Sequence, residues 1–390
     1  MKILKGFKYR LYPTEFQHTA LKQHAGNARF IWNYFLAENI KKYEEHKKFN
    51  FSHAMITSIP KLKEEHDFLK LSFSQSLQTV GRHLNDAIVR YLKGLKTGED
   101  VGFPVFKKKS KQKDSFHCPQ KWYVCKGFVK IPKIGKVKWV KHRNFQGKPK
   151  SITITQDGDQ WYCSVLCESN IKEQEFKQDN LVGIDVGLKD FAILSDGNKI
   201  KRQRFTKRYE NKLRKEQRSL SKKVKGSNNR QKQKKVVQAV HRKIRNSRKD
   251  FLHKATHYIT TKYDGVCLES LNVEGMMKNH KLSKSIADAS WSEFKRQLRY
   301  KCSWKFKHIS EIDQWFPSSK LCSIESCGYI NKNLNIKDRF WDCICGAHHD
   351  RDINAATNIL REGIKILLDR EKFMLVEEQC YVPMKQEKET

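Results

Sequence analysis

The fold of the second half of the chain is decided by the stretch Leu181-Val182-Gly183-Ile184-Asp185-Val186-Gly187. Its apolar residues, interrupted only by one glycine and one acid, predict a buried strand that ends in glycine. The segment 191–194, followed by Asp196 and Gly197, predicts the hairpin partner of that strand. Asp185 is therefore expected near the centre of a sheet, where an unpaired carboxylate is costly.

Two further acids are expected near Asp185. Glu269 ends the apolar segment 265–269, and Asp352 directly precedes residues 353–356, which open a helix. Three carboxylates at one sheet edge could surround one or two hard cations, and Mg²⁺ prefers such oxygen ligands. Two ions about 4 Å apart would suit phosphodiester hydrolysis. Taken singly, the same acids could instead be a turn residue, a surface strand end and a helix cap.

The chain carries a large excess of positive charge. Its 390 residues include 79 Lys and Arg against 42 Asp and Glu, a formal charge of +37. Such a charge repels itself unless a polyanion neutralises it, so nucleic acid is the expected partner. No apolar run approaches the roughly 18 residues of a membrane-spanning helix, and the start lacks a secretory signal. We therefore predict a cytoplasmic protein of two or three domains that does not enter a membrane.

The first 170 residues combine strands with a helical block. Residues 2–11 predict a strand, and a helix follows in which Thr14 and Gln17 have capping-box spacing. Helical periodicity continues to about residue 97, after which β-rich segments appear at 128–140 and 151–167. We predict an N-terminal β-barrel that the first strand completes, with an α-helical bundle inserted into it and a polar linker after it. The predicted bounds are 1–12 and 98–170 for the barrel, 13–97 for the bundle and 171–180 for the linker.

Basic segments supply candidate tracks for a phosphate backbone. Residues 201–250 contain 21 Lys or Arg and three acids, and a break at 226–229 predicts a basic helical hairpin. The run 107–109 is a second basic candidate, since each phosphate contact adds a salt-dependent contribution to affinity. Aromatic candidates for base stacking are Trp122, Tyr123 and Trp139, each of which could equally belong to the core.

Four of the eleven cysteines cluster late in the chain, which fits a reducing compartment and a metal site. They are Cys322, Cys327, Cys343 and Cys345. Two pairs of thiolates suit tetrahedral structural Zn²⁺ in a ribbon-like module. The alternatives are that His348 replaces one ligand, or that the ribbon folds without metal.

Several of these motifs together resemble the split RuvC nuclease of the TnpB family, which transposons encode and which is related to type V CRISPR effectors. The matching segments in the second half are 183–187 (GIDVG), 268–272 (LESLN) and 349–356 (HDRDINAA). Segments 9–13 (YRLYP), 29–33 (RFIWN) and 104–108 (PVFKK) match the family's N-terminal pattern. The resemblance thus covers most of the chain. One departure concerns the cysteines, because the family usually spaces each pair as Cys-x-x-Cys.

The resemblance implies an α/β RNase H-like (RuvC) nuclease core, residues 181–315 and 348–368. A zinc-ribbon-like insertion would occupy 316–347 and a C-terminal tail 369–390, while the barrel would be wedge-like and the bundle a recognition domain. It further implies that Asp185, Glu269 and Asp352 bind Mg²⁺, with Asp350 as the nearby alternative to Asp352.

The implied activity is RNA-guided DNA cleavage in a prokaryotic cell. The partners would be a noncoding guide RNA from the transposon end and double-stranded target DNA, licensed by a short target-adjacent motif; a monomer near the nucleoid is favoured. The alternatives are a guided DNA-binding repressor that has lost cleavage, a DNA transposase, and a structural RNA-binding protein. A structural RNA-binding protein would give the three acids no role.

Overall fold

The computed structural model describes residues 2–109, 113–171, 180–335 and 337–380, with 370–380 as backbone only. It divides into two compact units, Met1–Lys172 and Glu173–Thr390. Of the predicted linker, residues 172–179 lie outside the described residues. No described helix is long and apolar enough to cross a membrane.

The first unit is built on one antiparallel sheet of seven strands. The first strand of the chain lies in the middle of that sheet, paired with β7 along one side and with β5 along the other. The N-terminal strand therefore joins the two halves of this sheet. The strands are β1 (Lys2–Tyr12), β2 (Ser115–Cys118), β3 (Tyr123–Cys125), β4 (Phe128–Ile131), β5 (Gly135–Val140), β6 (Lys148–Asp157) and β7 (Gln160–Asn170), in the spatial order β2-β6-β7-β1-β5-β4-β3.

Three helices interrupt this sheet between β1 and β2, as the helical periodicity predicts. The first begins with the predicted capping box, in which the Thr14 side chain accepts from the backbone N–H of Gln17 and the Gln17 side chain accepts from that of Thr14. Helix residues such as Leu21 and Leu77 share one hydrophobic core with strand residues such as Trp161. The helices are α1 (Glu15–His46), α2 (Ser52–Glu65) and α3 (Ser74–Thr97), with a 3₁₀ turn at Asp67–Leu71.

The second unit is built on a mixed sheet of five strands. Its central strand is the predicted one, and it pairs antiparallel with its hairpin partner and parallel with the strand that carries Glu269. The strands are β8 (Leu181–Val186), β9 (Asp190–Leu194), β10 (Lys199–Lys201), β11 (Gly265–Glu269) and β12 (His308–Ile312), in the order β10-β9-β8-β11-β12.

Helices cover both faces of this sheet. One face packs against α5 (Asn228–Lys262) and α8 (Trp291–Trp304). The other packs against α9 (Arg351–Cys380), through residues such as Ile359. The remaining helices are α4 (Phe205–Ser221), α6 (Val273–Met277) and α7 (His280–Ala289). The paired helices α4 and α5 confirm the predicted basic hairpin.

A close backbone approach fixes α9 on the central strand. A Cβ atom added at Gly183 would lie 2.0 Å from the carbonyl oxygen of Ala356 and 2.6 Å from the backbone nitrogen of Leu360. Farther along the same helix, a Cβ at Gly363 would lie 2.5 Å from the sulfur of Cys267 on β11. Glycine in a strand often marks such an approach. These two contacts bring the first turn of α9 to the edge where β8 and β11 end.

Two predicted bounds differ from the observed elements. The last helix continues to Cys380, beyond residue 368 where the core was expected to end. The sequence did not predict this extra length because the apolar periodicity fades after residue 368. The small hairpin β13 (Phe340–Asp342) and β14 (His348–Asp350) also extends past residue 347, the predicted end of the cysteine module. Residues 381–390 of the predicted tail lie outside the described residues.

Candidate active site and metal centre

Asp185 and Glu269 stand side by side where two parallel strands end. Ile184 pairs with Leu268 in the register of β8 and β11, so the next residue on each strand is an acid. Successive side chains on a strand alternate between faces, which places both carboxylates on the face that α9 covers. Both side chains are partly buried. The predicted pair is thus held by strand register rather than by a loop.

Asp352 comes to the same edge in the first turn of α9. It is 8% exposed and accepts hydrogen bonds from Arg339 at 2.5 Å and from Arg351 at 3.2 Å. Asp352 and Glu269 both contribute charge that acts on Asp185. The structure therefore brings the three predicted acids into one electrostatic cluster, although they come from three distant parts of the chain.

The cluster concentrates negative charge in a partly buried place. Burial, and after it the charges of Glu269 and Asp352, raise the pKa of Asp185 to about 7 against the opposing charge of Arg351. Burial also raises the pKa of Glu269. Because a bound cation would remove this repulsion, an all-carboxylate set of this kind fits a hard divalent ion such as Mg²⁺.

Asp350, the alternative to Asp352, has another role in the fold. Its carboxylate accepts from the backbone N–H groups of Asp352 and Ile353 and from Lys199 at 2.8 Å. Burial opposes its ionisation, but these hydrogen bonds outweigh burial and lower the pKa of Asp350. It therefore caps the N-terminus of α9 and thereby positions Asp352.

The four predicted cysteines meet in a compact cluster. The sulfur atoms of Cys322, Cys327, Cys343 and Cys345 all lie within 4.8 Å of one another, and in the described ranges no other set of three or more His, Cys, Asp or Glu is this close. The three carboxylates are consequently more widely spaced than the thiols. Four convergent thiols are the donor set of structural zinc sites.

Local turns explain the unusual cysteine spacing. The backbone N–H of Cys343 donates to Ala347 and that of Gly346 donates back to Cys343, with Gly346 at a φ of 83°. This tight turn presents Cys343 and Cys345 together. The hydrogen bond from the backbone of Ala347, with smaller contributions from the other three thiols, lowers the pKa of the Cys345 thiol to about 7. The Cys-x-Cys spacing is therefore compatible with a metal site.

His348, the alternative ligand considered from the sequence, is not part of the cysteine cluster. Its ring bonds to Asp342 at 2.6 Å and stacks on Phe340, away from the sulfur atoms. The neighbouring His349 is buried, and its Nε2 lies 3.2 Å from the sulfur of Cys322. Strand alternation in β14 sends the two histidines to opposite faces, which the sequence could not reveal without the register.

A buried ion pair fixes the basic hairpin to the rest of its unit. Asp288 on α7 is 5% exposed, accepts from Arg248 of α5 at 2.8 Å and accepts from the Thr206 hydroxyl at 2.7 Å. It also accepts from the backbone N–H of Thr206, so it caps α4. Asp288 is a positioning residue that sequence reasoning missed, because nothing in its local context marks a long-range partner.

The N-terminal motifs meet within the first unit. Asn33 accepts from the Lys107 backbone N–H at 2.8 Å and donates to its carbonyl at 3.0 Å, while the Lys107 ammonium lies 3.5 Å from the centre of the Trp32 ring. Of the stacking candidates, Trp139 is buried in the core at 3% exposure, whereas Tyr123 is 58% exposed. Trp139 is therefore excluded as a base-stacking residue, and Trp122 is partly buried against the core.

Comparisons with known proteins decide the family. Sequence profiles described as "Probable transposase", "Cas12f1-like, TNB domain" and "Helix-turn-helix domain" match residues 164–280, 291–359 and 1–48. A protein of Acanthamoeba polyphaga mimivirus named "TnpB-like protein L79" is 28% identical over 235 residues, 55% of this chain and 44% of that protein. A Streptomyces pristinaespiralis protein named "Putative RNA-guided DNA endonuclease" is 34% identical over 371 residues, 93% of this chain and 90% of the relative. This chain belongs to the TnpB family.

Other comparisons agree with this TnpB assignment. "Putative RNA-guided DNA endonuclease InsQ" of Escherichia coli (strain K12) is 31% identical over 387 residues, 94% of each chain. The protein in a structure described as "Cryo-EM structure of the Cas12f1-sgRNA-target DNA complex" shares the fold, with a TM-score of 0.58 and 14% identity over 92% of this chain and 98% of that one. This likeness is one of fold, and the α/β class predicted for the core agrees with its five-stranded sheet and the helices on both faces.

Proposed function

We propose that this TnpB family member is an RNA-guided DNA endonuclease that hydrolyses phosphodiester bonds at Asp185, Glu269 and Asp352. The observation that carries the proposal is the convergence of these three acids at one sheet edge. It is supported by 34% identity, over nearly the whole chain, to a relative named as an RNA-guided DNA endonuclease.

The three acids would hold two Mg²⁺ ions, and these ions would supply activation of the attacking water and stabilisation of the leaving oxygen. The protein's own contribution is to place the carboxylates. Strand register fixes Asp185 beside Glu269, and the Asp350 cap together with Arg351 orients Asp352. Partial burial of the cluster makes cation binding more favourable than it would be for exposed acids.

Guide RNA and double-stranded DNA are the proposed partners, bound by a monomer. The exposed face of α4 and its C-terminal end carries Arg214, Lys215, Arg218 and Lys222, which suits a phosphate backbone. We further propose that the seven-stranded sheet closes as the wedge-like barrel, that α1–α3 form the recognition domain, and that the module around 316–347 is the zinc-ribbon-like insertion. Sequence choice would then rest on base pairing with the guide, while the protein reads a short motif.

The test of this function is to purify the protein with its bound nucleic acid, sequence the RNA and incubate the complex with a matching plasmid. Cleavage in Mg²⁺ that EDTA abolishes, and that needs the matching sequence, is the expected result. Guided binding without cleavage would instead indicate a repressor, and joined DNA products a transposase. If no defined RNA copurifies but Mg²⁺-dependent cutting persists, the proposal of a guide RNA is wrong and the proposal of a nuclease is retained.

Zinc at the four cysteines is a separate part of the proposal, with its own prediction. We expect the wild-type chain to contain about one zinc per molecule by mass spectrometry and Cys343→Ser to contain almost none. The melting temperature of the variant should fall by several degrees, because metal binding stabilises such a module. Cys125→Ser, at a partly exposed cysteine of β3, is the matched control and should keep its zinc. A zinc-free wild type whose melting is unchanged by added Zn²⁺ would show that the ribbon folds without metal.

A further inference from the structure

Trp315 is the most conspicuous exposed aromatic side chain in the second unit. Its side chain is 82% exposed, the highest exposed fraction of any large hydrophobic residue in the described part of the chain. Within the described parts of the chain its indole makes no ring stacking, cation–π contact or side-chain hydrogen bond. Burying an aromatic ring is strongly favourable, so a tryptophan left in water contributes little to folding. Its side chain is therefore available to a partner.

The turn that carries Trp315 is held firmly on both sides. The backbone N–H of Trp315 donates to the Asp313 carboxylate at 2.7 Å, and the next residue, Phe316, packs against Ile312 and Ile359. Two asparagines of α9 fasten the chain that follows. Asn354 and Asn358 donate to the carbonyl of Leu321 at 2.7 and 2.6 Å. The indole is thus presented by a rigid element rather than by a mobile loop.

This turn leaves the sheet at the edge where the candidate acids lie. Ile312, the last residue of β12, pairs with Glu269 in the parallel register, and its carbonyl accepts from the N–H of Ser270 at 3.0 Å. Three residues of chain span at most about 10 Å, so the backbone of Trp315 lies no farther than that from Ile312. Phe316 packs with Ile312 on the α9 face, which is also the face of Asp185 and Glu269.

These distances limit how many nucleotides can separate a phosphate at the acids from a base at Trp315. A strand in a duplex advances by about 3.4 Å per nucleotide. Glu269 and Ile312 lie on neighbouring strands about 5 Å apart, so the backbone of Trp315 is at most about 15 Å from that of Glu269. A strand that runs from the acids toward β12 would therefore reach Trp315 within about five nucleotides. Aromatic side chains take unstacked bases of any sequence, because every base has a π face.

We propose that Trp315 is a positioning residue that stacks on a nucleobase of the DNA strand being cut, within about five nucleotides of the scissile phosphate. This proposal rests on the nuclease function proposed above. Holding one base against a rigid edge would fix the register of the flexible single strand relative to the acids. The contact needs no particular base, which suits an enzyme whose sequence choice is made elsewhere.

The experiment uses the complete complex of protein and guide. A target is labelled with 2-aminopurine at single positions around the cut site, and Ca²⁺ replaces Mg²⁺ so that binding occurs without cutting. Stacking on an indole quenches this fluorophore, so one position should be quenched in the wild type and bright in Trp315→Ala. In Mg²⁺, Trp315→Ala should cut about 5- to 150-fold more slowly, the range for loss of one base-aromatic stack. Trp315→Phe should restore most of the rate and the quenching.

Phe340→Ala is the matched control, since Phe340 is an aromatic of the cysteine module that is 60% exposed and stacks on His348. Its cutting rate should stay within about twofold of the wild type. Equal rates and equal quenching in wild type and Trp315→Ala would overturn this inference alone, and failure of the wild type to cut would overturn it together with the proposed function. A mass by light scattering that halves in Trp315→Ala would mean that the indole contacts a second copy of the chain, which also overturns it.

Discussion

Replacing Asp185 by Asn is expected to abolish cleavage and, in metal-free buffer, to raise the stability of the protein. Cleavage is lost because an amide neither neutralises a metal ion nor binds it as a carboxylate does; we expect a loss of at least about a thousandfold. Stability rises because the ionised Asp185 carboxylate is held beside Glu269 and Asp352 in a partly buried place. The measurements are plasmid cleavage in Mg²⁺ and thermal melting in EDTA.

The pH dependence of this stability gain follows from the sign of the pKa shift. The pKa of Asp185 rises from about 3.9 in an unfolded chain to about 7 in the folded protein. A carboxyl whose folded pKa is raised costs nothing below pH 4, costs progressively more up to pH 7, and costs a constant amount above that. The difference in melting temperature between Asp185→Asn and wild type should therefore grow from pH 4 to 7 and then level off.

Solvent around the partly exposed Asp185 side chain limits the gain in stability that Asp185→Asn can give. A shift of this size corresponds to about 1.4 kcal/mol for each pH unit, and the partial exposure of the side chain reduces it, so we expect roughly 2 kcal/mol. In a domain of this size that raises the melting temperature by about 4–8 °C. Saturating Mg²⁺ should remove or reverse the difference, since it stabilises only the chain that binds it.

Asp350→Ala is the control that separates a site acid from a helix cap. Losing the cap should cost about 1 kcal/mol of stability, yet cleavage should fall far less than in Asp352→Asn. Cutting by Asp185→Asn at the wild-type rate would refute the assignment of the site. Loss of cutting in Asp350→Ala with retention in Asp352→Asn would exchange the roles of those two acids.

Gly183→Ala is expected to disable the enzyme without touching any acid. Its Cβ would lie 2.0 Å from the carbonyl oxygen of Ala356, and because that atom is backbone, α9 must move away. Overpacking of this kind commonly costs about 1–3 kcal/mol. The same movement displaces Asp352 from Asp185, and an error of about 1 Å in a reacting group can cost a hundredfold in rate.

The matched control is Gly6→Ala, another glycine within a strand, where an added Cβ meets nothing within 4 Å. We expect that variant to melt and cleave like the wild type, whereas Gly183→Ala should melt several degrees lower and cut at least tenfold more slowly. Wild-type cleavage by a well-folded Gly183→Ala would show that the contact between α9 and β8 does not position Asp352.

Local signals in the sequence predict much of the fold. The strand at 181–187, the capping box at Thr14 and the break in the basic hairpin all depend on neighbouring residues, and each has its expected structure. Asp185 and Glu269 could be chosen because each ends an apolar strand. The four cysteines could be chosen from clustering alone, despite their irregular spacing.

What the sequence could not decide depends on contacts between distant segments. Asp350 and Asp352 look alike in sequence, and only the hydrogen bonds of the folded helix end distinguish the cap from the site acid. The same holds for His348 and His349, which strand register separates. The burial of Trp139 likewise follows from a sheet that joins β1 to β5, two strands far apart in the chain.

The attachment of α9 to β8 also sets a time at which the enzyme becomes complete. Asp185 leaves the ribosome well before Asp352, and at about 5–20 residues per second the interval between them is on the order of ten to thirty seconds. During that interval the nascent chain can form its central strands, but the α9 face beside Gly183 is still uncovered and the third acid is not yet made. A chain truncated before Asp352 would therefore lack the third acid, and it would be harmless to the DNA around it.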